Sequence, residues 1–296
     1  MGTLRAVFIL LVIGVVTPPL MVLQMIFLAT GASAARTLPV WWHRFVCRML
    51  GVRLTVEGKM SPARPLLIAA NHVSWLDINV LASIAPLSFI AKSEVATWPV
   101  FGWLAKLQRS VFVDRSRRTR TRHVNNAIAG RLAAGDVMVL FAEGTSSDGN
   151  RVLPFRSALL GAAHELARLE DDDGKPAGRE CSAAIHVQPV ALIYTRLNGL
   201  PMGRQHRPIV AWHGDIDLGP HLWRLLQAGS IDVTVAFGEP IALVDSAGRK
   251  SVAVAAERSV RGMAQKTLAG RGATWGVADA AAGHLSATLP ARAETG

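Results

Sequence analysis

Two side chains hold most of the reactive chemistry readable in this sequence. In Asn71-His72-Val73-Ser74-Trp75-Leu76-Asp77, a histidine and an aspartate are separated by four residues, directly after the apolar run Leu66–Ala70. A short apolar run that stops at a polar residue reads as a strand, and the three- and four-residue spacing of apolar positions over Leu76–Ile84 reads as a helix. With Ser74 capping that helix, His72 stands just before its N-terminus and Asp77 lies in its first turn, within reach of the imidazole Nδ1 proton. Nε2 is then left as a base. The competing reading makes Ser74 and Asp77 a capping-box-like pair and His72 a plain loop residue.

A second constellation follows Val137–Phe141, an apolar run that reads as a strand and ends in Ala142-Glu143-Gly144-Thr145-Ser146-Ser147. Loops at strand ends are where an α/β sheet presents its functional groups, and a glycine there lets backbone amides approach an anion or a developing oxyanion. A simple turn is the alternative, supported by Asp148-Gly149.

Taken together these segments resemble the glycerolipid acyltransferase family, the bacterial lysophosphatidic acid acyltransferases and their relatives. Asn71, His72, Ser74 and Asp77 match the family's N-H-x-S-x-x-D motif, and Val111-Phe112-Val113-Asp114-Arg115 resembles its second. Phe141-Ala142-Glu143-Gly144-Thr145-Ser146-Ser147 is similar to the third, F-P-E-G-T-R-S, and Val187-Gln188-Pro189-Val190-Ala191 to the fourth. Order and spacing agree over roughly residues 50–240. The resemblance implies a central mixed sheet flanked by helices and transfer of a fatty acyl group to the hydroxyl of a lysolipid. His72 and Asp77 would be catalytic, and Arg115, Glu143, Gly144, Thr145, Lys92 and Ser146 would contact substrate.

One departure bears on the acceptor. Ser146 stands where the third motif usually carries arginine, which removes a bidentate phosphate clamp. That shifts expectation from lysophosphatidate toward the acceptor of a sister group, the lyso-ornithine lipid acyltransferases, with 1-acyl-glycerol-3-phosphate acylation as the alternative. Lys92 lies where related enzymes often carry a lysine near the phosphate, and it would partly substitute.

A thioester is already electrophilic, so the expected work is activation of the acceptor hydroxyl by His72 and stabilisation of the oxyanion, with amides near the following helix start as candidate donors. The co-substrate would be acyl carrier protein or coenzyme A thioester, with no cofactor and no metal. Neither a G-x-S-x-G elbow nor H-E-x-x-H occurs, and Cys47 and Cys181, the only cysteines, adjoin no histidine. Both read as inert.

The elements that must position this chemistry alternate. Strand-like runs are Val52–Val56, Leu66–Ala70, Ser110–Val113, Val137–Phe141, His186–Ile193, Ile209–Trp212 and Ile231–Phe237. Helix-like segments are Leu76–Ile84, Arg120–Ala133, Ala158–Leu169 and Val252–Leu268. The alternation predicts an α/β fold. Three parts are expected: a membrane-anchoring helical segment over 1–45, a catalytic domain over 46–269 and an Ala/Gly-rich tail from 270 to 296. Asp171-Asp172-Asp173-Gly174-Lys175-Pro176 reads as a surface loop.

Ala6 to Ala35 carries no charge, a run longer than the roughly 20 residues that cross a bilayer. Pro18-Pro19 splits it, predicting a kinked span or a re-entrant helical hairpin. A cleaved signal peptide is the rival, since Ala32-Ser33-Ala34 resembles a cleavage site, although the run exceeds a usual signal core. Arg36, Arg44 and Arg48 follow, placing the downstream side in the cytoplasm at the inner membrane. The net charge of +11 and mean hydropathy of +0.29 suit an anionic membrane surface. A non-catalytic basic protein binding membrane or nucleic acid is the remote alternative. Nucleic acid is disfavoured because no aromatic stacking platform accompanies the basic residues.

Overall fold

The computed structural model describes residues 2–113, 118–161, 185–243 and 248–270. Nine strands form one mixed sheet among these: β1 (Val52–Glu57), β2 (Leu66–Ala70), β3 (Leu87–Lys92), β4 (Val111–Val113), β5 (Val137–Phe141), β6 (Ile185–Leu197), β7 (Leu200–Pro201), β8 (Ile231–Phe237) and β9 (Ile241–Leu243). The main order is β1-β8-β6-β2-β5-β3-β4, with β7 and β9 also paired to β6. The run β6-β2-β5-β3-β4 is parallel, whereas β8 and β9 lie antiparallel to β6.

The helices are α1 (Gly2–Thr30), α2 (Ala34–Leu50), α3 (Leu76–Ile84), α4 (Phe101–Leu107), α5 (Arg118–Ala133), α6 (Leu218–Gln227) and α7 (Gly248–Leu268). They cover both faces of the sheet, which is why the inner strands are continuous apolar runs rather than alternating ones. Strand pleating sorts these side chains between two cores. Leu66, Ile68, Ala70, Val137 and Val139 join α1, α2, α3 and α6 in one core. Leu67, Ala69, Met138 and Leu140 join α5 and α7 in the other.

Pro189 sits inside β6 without breaking it. The antiparallel partner of β6 is β9 over Ile185–Val187 and β8 from Val190 onward, so the proline falls where that partner changes and no ladder donor is lost.

Three expectations require correction. Ile209–Trp212 is not a strand, because Arg207–Ile209 forms a 3-10 turn and Trp212 donates its backbone N–H to Val73 O at 2.9 Å. Of the two readings of Pro18-Pro19, a hairpin turning at the prolines is not formed: α1 continues through both, and the chain reverses later, at Gly31 with φ 68°, where glycine meets no Cβ penalty. The hairpin is therefore α1 against α2, antiparallel. Arg5 meets Leu50 O, Trp42 Nε1 donates to Thr17 Oγ1, and Gln24 Nε2 donates to Ala35 O. The cap expected of Ser74 is also absent, as described below. Of the helix expected over Ala158–Leu169, Ser157–Leu160 forms a 3-10 turn and the part beyond Gly161 lies outside the described residues, as do Cys181, the Asp171 loop and the tail from Arg271.

The two-helix hairpin is part of the fold rather than an appendage, and the boundary expected at residue 45 falls inside α2. Ala6 and Ile9 are buried in the first core, while Phe8, Leu11 and Val15 on the other side of α1 are exposed. Arg5 also donates to the Leu226 and Gly229 carbonyls beside α6.

A removable leader has no such contacts. Ile9→Ala is expected to cost about 2–5 kcal/mol, the range for truncating a buried aliphatic residue. Leu11→Ala, on the exposed face, should cost less than about 0.5 kcal/mol. Thermal denaturation of the two variants in detergent checks the difference, and equal small effects would mean that α1 is detachable.

Candidate active site

The site forms at the C-terminal ends of the parallel strands β2, β5 and β3, where the chain leaves the sheet together with neighbouring loops. Asn71 continues β2 by one residue through its side chain. Its Nδ2 donates to Leu192 O at 3.0 Å and its Oδ1 accepts from Leu192 N at 2.8 Å, a side-chain imitation of the ladder to β6. His72 is next. Its carbonyl accepts from the Ser147 N–H at 2.8 Å, tying the β2 and β5 loops together.

Asp77 is fully buried and accepts four hydrogen bonds. Oδ2 takes His72 Nδ1 at 2.8 Å and the backbone N–H groups of Val73 and Ser74 at 2.7 and 3.0 Å, and Oδ1 takes the Tyr194 hydroxyl at 2.7 Å. The helix start is thus held by a residue inside the helix reaching back, and Ser74 Oγ makes no hydrogen bond. The amides of Val73 and Ser74 are committed to Asp77, so they do not serve as the oxyanion donors expected at this helix start.

An Asp77 acceptor fixes the proton of His72 on Nδ1 and leaves the Nε2 lone pair free. The imidazole stacks on Phe141, with ring centroids 4.0 Å apart and planes 19° from parallel. It lines a cavity of about 620 Å³.

That cavity runs from His72 to the α1–α2 hairpin, with Leu20, Met21, Leu38, Trp42 and Leu104 among its apolar walls. Gly144, Thr145, Ser146 and Lys92 border it as well. Gly144 has φ 73° and uses its own N–H within the turn, on Phe141 O at 3.1 Å. Arg115 lies outside the described residues, as does Asp114.

Glu143 points inward instead. It is 1% exposed, and its Oε1 accepts the Leu153 N–H at 3.0 Å, pinning the chain after the turn. The other oxygen faces the His72 backbone without completing a hydrogen bond. Burial pushes its carboxyl up to about 8, with the nearby Asp77 charge adding to the shift and the backbone donors opposing it.

Sequence reasoning missed the parts played by Tyr194 and Phe141. Tyr194 is the only tyrosine of the chain and sits in an otherwise apolar strand, where a buried hydroxyl must find an acceptor. That signal was available. For the stacking of Phe141 there was none, because it depends on the β2/β5 register that places this ring opposite Ala70.

The same arrangement of residues falls within a known family. The Acyltransferase family matches residues 53–193. The lyso-ornithine lipid O-acyltransferase of Brucella abortus (strain 2308) is 48% identical over 91% of this chain and 97% of its own length. The chain belongs to the acyltransferase family. The Rhizobium meliloti (strain 1021) lyso-ornithine lipid O-acyltransferase is 46% identical over 85% of this chain and 83% of its own. A 1-acyl-sn-glycerol-3-phosphate acyltransferase of Neisseria meningitidis is more distant, at 32% over 74% and 77%. The crystal structure of the Thermotoga maritima 1-acyl-sn-glycerophosphate acyltransferase aligns with TM-score 0.61 at 18% identity. It covers 90% of this chain and 98% of that one, a likeness of fold.

The Glu143 carboxyl sets a pH dependence. Its folded value lies above the ordinary glutamate value, so the folded state holds the proton more tightly than the unfolded state. Stability therefore falls as pH rises from about 4.5 toward about 8. The slope approaches about 1.4 kcal/mol per pH unit where only the folded state is protonated. Glu143→Gln, neutral at every pH, should flatten this limb in denaturant titrations between pH 5 and 9; an unchanged slope would reject a neutral buried Glu143.

Proposed function

We propose that this acyltransferase moves a fatty acyl group from an acyl carrier protein or coenzyme A thioester onto the hydroxyl of a lyso-ornithine lipid. The observation that carries the reaction is the His72–Asp77 pair opening onto a long apolar cavity. His72 Nε2 takes the proton of the acceptor hydroxyl as its oxygen attacks the thioester carbonyl. Asp77 holds the tautomer and stabilises the imidazolium. Collapse of the tetrahedral intermediate breaks the carbon–sulfur bond, and the proton passes from His72 to the departing thiolate. Thr145 and Ser146 border the cavity, and with the Val73 and Ser74 amides committed to Asp77 their backbone amides would be the candidate oxyanion donors. The apolar walls reaching α1 suit an acyl chain.

The acceptor reading rests on Ser146 and on the two relatives with lyso-ornithine lipid activity named above. Without an arginine fork at Ser146 a phosphate dianion loses its bidentate partner, whereas the zwitterionic ornithine headgroup has less need of one; Arg115 would meet its carboxylate and Lys92 would supply a point charge. Gly144 and Glu143 act here through the loop they shape.

The placement of α1 supports a one-sided membrane association. Arg5 and Gln24, nineteen residues apart, both bond to the catalytic domain, Gln24 through Leu107 O at 3.0 Å. At 1.5 Å per residue that interval spans about 28 Å, close to the roughly 30 Å hydrocarbon thickness. A crossing α1 would drag the domain through the bilayer. Instead, its exposed face, together with the exposed Trp41 and Trp103, would enter one leaflet of the inner membrane from the cytoplasmic side.

His72→Ala and Asp77→Ala should each lower transfer by about 10²–10⁴-fold. A folded His72→Ala protein with near wild-type turnover would refute the base assignment. Ser146→Arg should shift relative kcat/KM toward lysophosphatidate by roughly tenfold, the scale of one charge-assisted hydrogen bond. Wild-type preference for lysophosphatidate by a wide margin, unaltered by the substitution, would leave lysophosphatidate as the acceptor.

A further inference from the structure

A second, smaller cavity of about 190 Å³ lies at the opposite end of the parallel strands, beside Leu87 and Val137, the first residues of β3 and β5. His72 follows the last strands' ends, two residues past β2, so this cavity belongs to the other edge of the sheet. Arg36, Arg64 and Arg109 line it, and among the described residues Asp136 is the only carboxylate in its wall.

That carboxylate is already engaged. Arg131 reaches Asp136 Oδ2 through Nε while its other two nitrogens donate to Arg109 O and Ser88 Oγ, each at 2.8 Å. Arg109 and Arg36 stand 3.3 and 3.7 Å from the same group, so one negative charge faces three guanidiniums. The Arg109 guanidinium is pushed below its ordinary value by burial, by Arg131 and by Arg36, against the opposing pull of Asp136. Positive charge is in excess.

The turn after α4 carries Arg109 to this cavity. Arg109 has φ 62°, the left-handed region, two residues past the end of α4, where glycine is the ordinary occupant. The Arg109 and Ser110 N–H groups close this turn on Lys106 O and Ala105 O, at 2.9 and 3.0 Å, and the Arg109 side chain lines the cavity.

The site is also tied to the apolar helix. Gln24 Nε2, near the end of α1, donates to Ala35 O and Leu107 O, residues one and two positions from Arg36 and Arg109. Both arginines are thereby fixed next to the end of the exposed apolar face, which includes Ile26.

We propose that this arginine-lined cavity binds a phosphate group, supplied by the headgroup of an anionic membrane lipid beside α1. Arg36 and Arg109 would take the non-bridging oxygens, Arg64 would add charge, and Asp136 would keep the guanidiniums gathered in the absence of ligand. The site acts in docking and orientation, separately from the chemistry at His72.

The test uses the full chain and two paired variants. Arg36→Ala with Arg109→Gly removes the site; glycine accepts the backbone conformation of position 109, and Asp136 keeps Arg131 as its partner. Arg53→Ala with Arg258→Ala removes the same charge from exposed positions elsewhere. Partitioning onto phosphatidylcholine vesicles is compared with and without phosphatidylglycerol. The phosphatidylglycerol-dependent gain should fall about tenfold or more in the first pair and much less in the second, the scale of two surface arginines. Acyl transfer in detergent should be unchanged in both. Thermal midpoints in inorganic phosphate against chloride at fixed ionic strength separate the sources. A shift lost in the first pair, accompanying the vesicle effect, means that free phosphate enters as well. A vesicle effect without a shift means that only the lipid headgroup does. Equal losses in the two pairs, or an intact gain in the first, would overturn the proposal, and a phosphate shift without a vesicle effect would overturn the lipid source.

Discussion

The Asp77 carboxylate is the constraint on which the rest of the site depends. It is fully buried, and a buried carboxylate persists only when its oxygens are satisfied. Four donors do this: the imidazole and two amides from the β2–α3 junction, and a hydroxyl from β6. Each donor also gains a fixed position. The amides set the chain path that brings His72 back over α3, and Tyr194 locks that junction to the sheet. The carboxylate that takes the His72 Nδ1 proton thus also organises the turn that presents the imidazole.

The strands supply the second half of that arrangement. Because β2 and β5 run parallel and in register, Ala70 lies opposite Phe141 and the two following loops emerge side by side. His72 therefore rests on Phe141, and its carbonyl is bridged to Ser147. Glu143 works beneath this surface, holding Leu153 from a buried position where burial favours its neutral form. Two carboxyl groups in one small region thus take different roles, Asp77 as an acceptor among four donors and Glu143 as a buried acid holding the following loop.

How much of this was legible beforehand follows from the range of each interaction. The β2 and β5 runs, the His72–Asp77 pairing and the α/β alternation are encoded by neighbours within a few residues, and they appear where the pattern placed them. β3 was not recognised, because Ser88 interrupts its apolar run and Pro86 precedes it. Ile209–Trp212 looked like a strand because Ile209, Val210 and Ala211 are apolar, yet that apolarity serves burial of Val210 and Ala211 against the first core. Pro18-Pro19 left a kinked span and a hairpin open, because a local cost does not say which distant contacts offset it. Lateral contacts with α2, from Arg5 to Gln24, hold the helix on both sides of Pro18-Pro19.

The hairpin also explains why an enzyme of this class should be built as one body with its membrane element. An acyl chain leaving a bilayer must reach His72 without exposing its methylenes to water, at roughly 0.8 kcal/mol for each one exposed. A separate anchor joined by a linker leaves a wet gap between lipid and His72. Here α1 and α2 are themselves walls of the cavity that His72 borders. The contacts that hold α1 to the domain, Ala6 and Ile9 in the core and Arg5 and Gln24 toward its two ends, keep that wall continuous. Burial of one face of α1 and exposure of the other are then two parts of one requirement, an apolar path from lipid to His72.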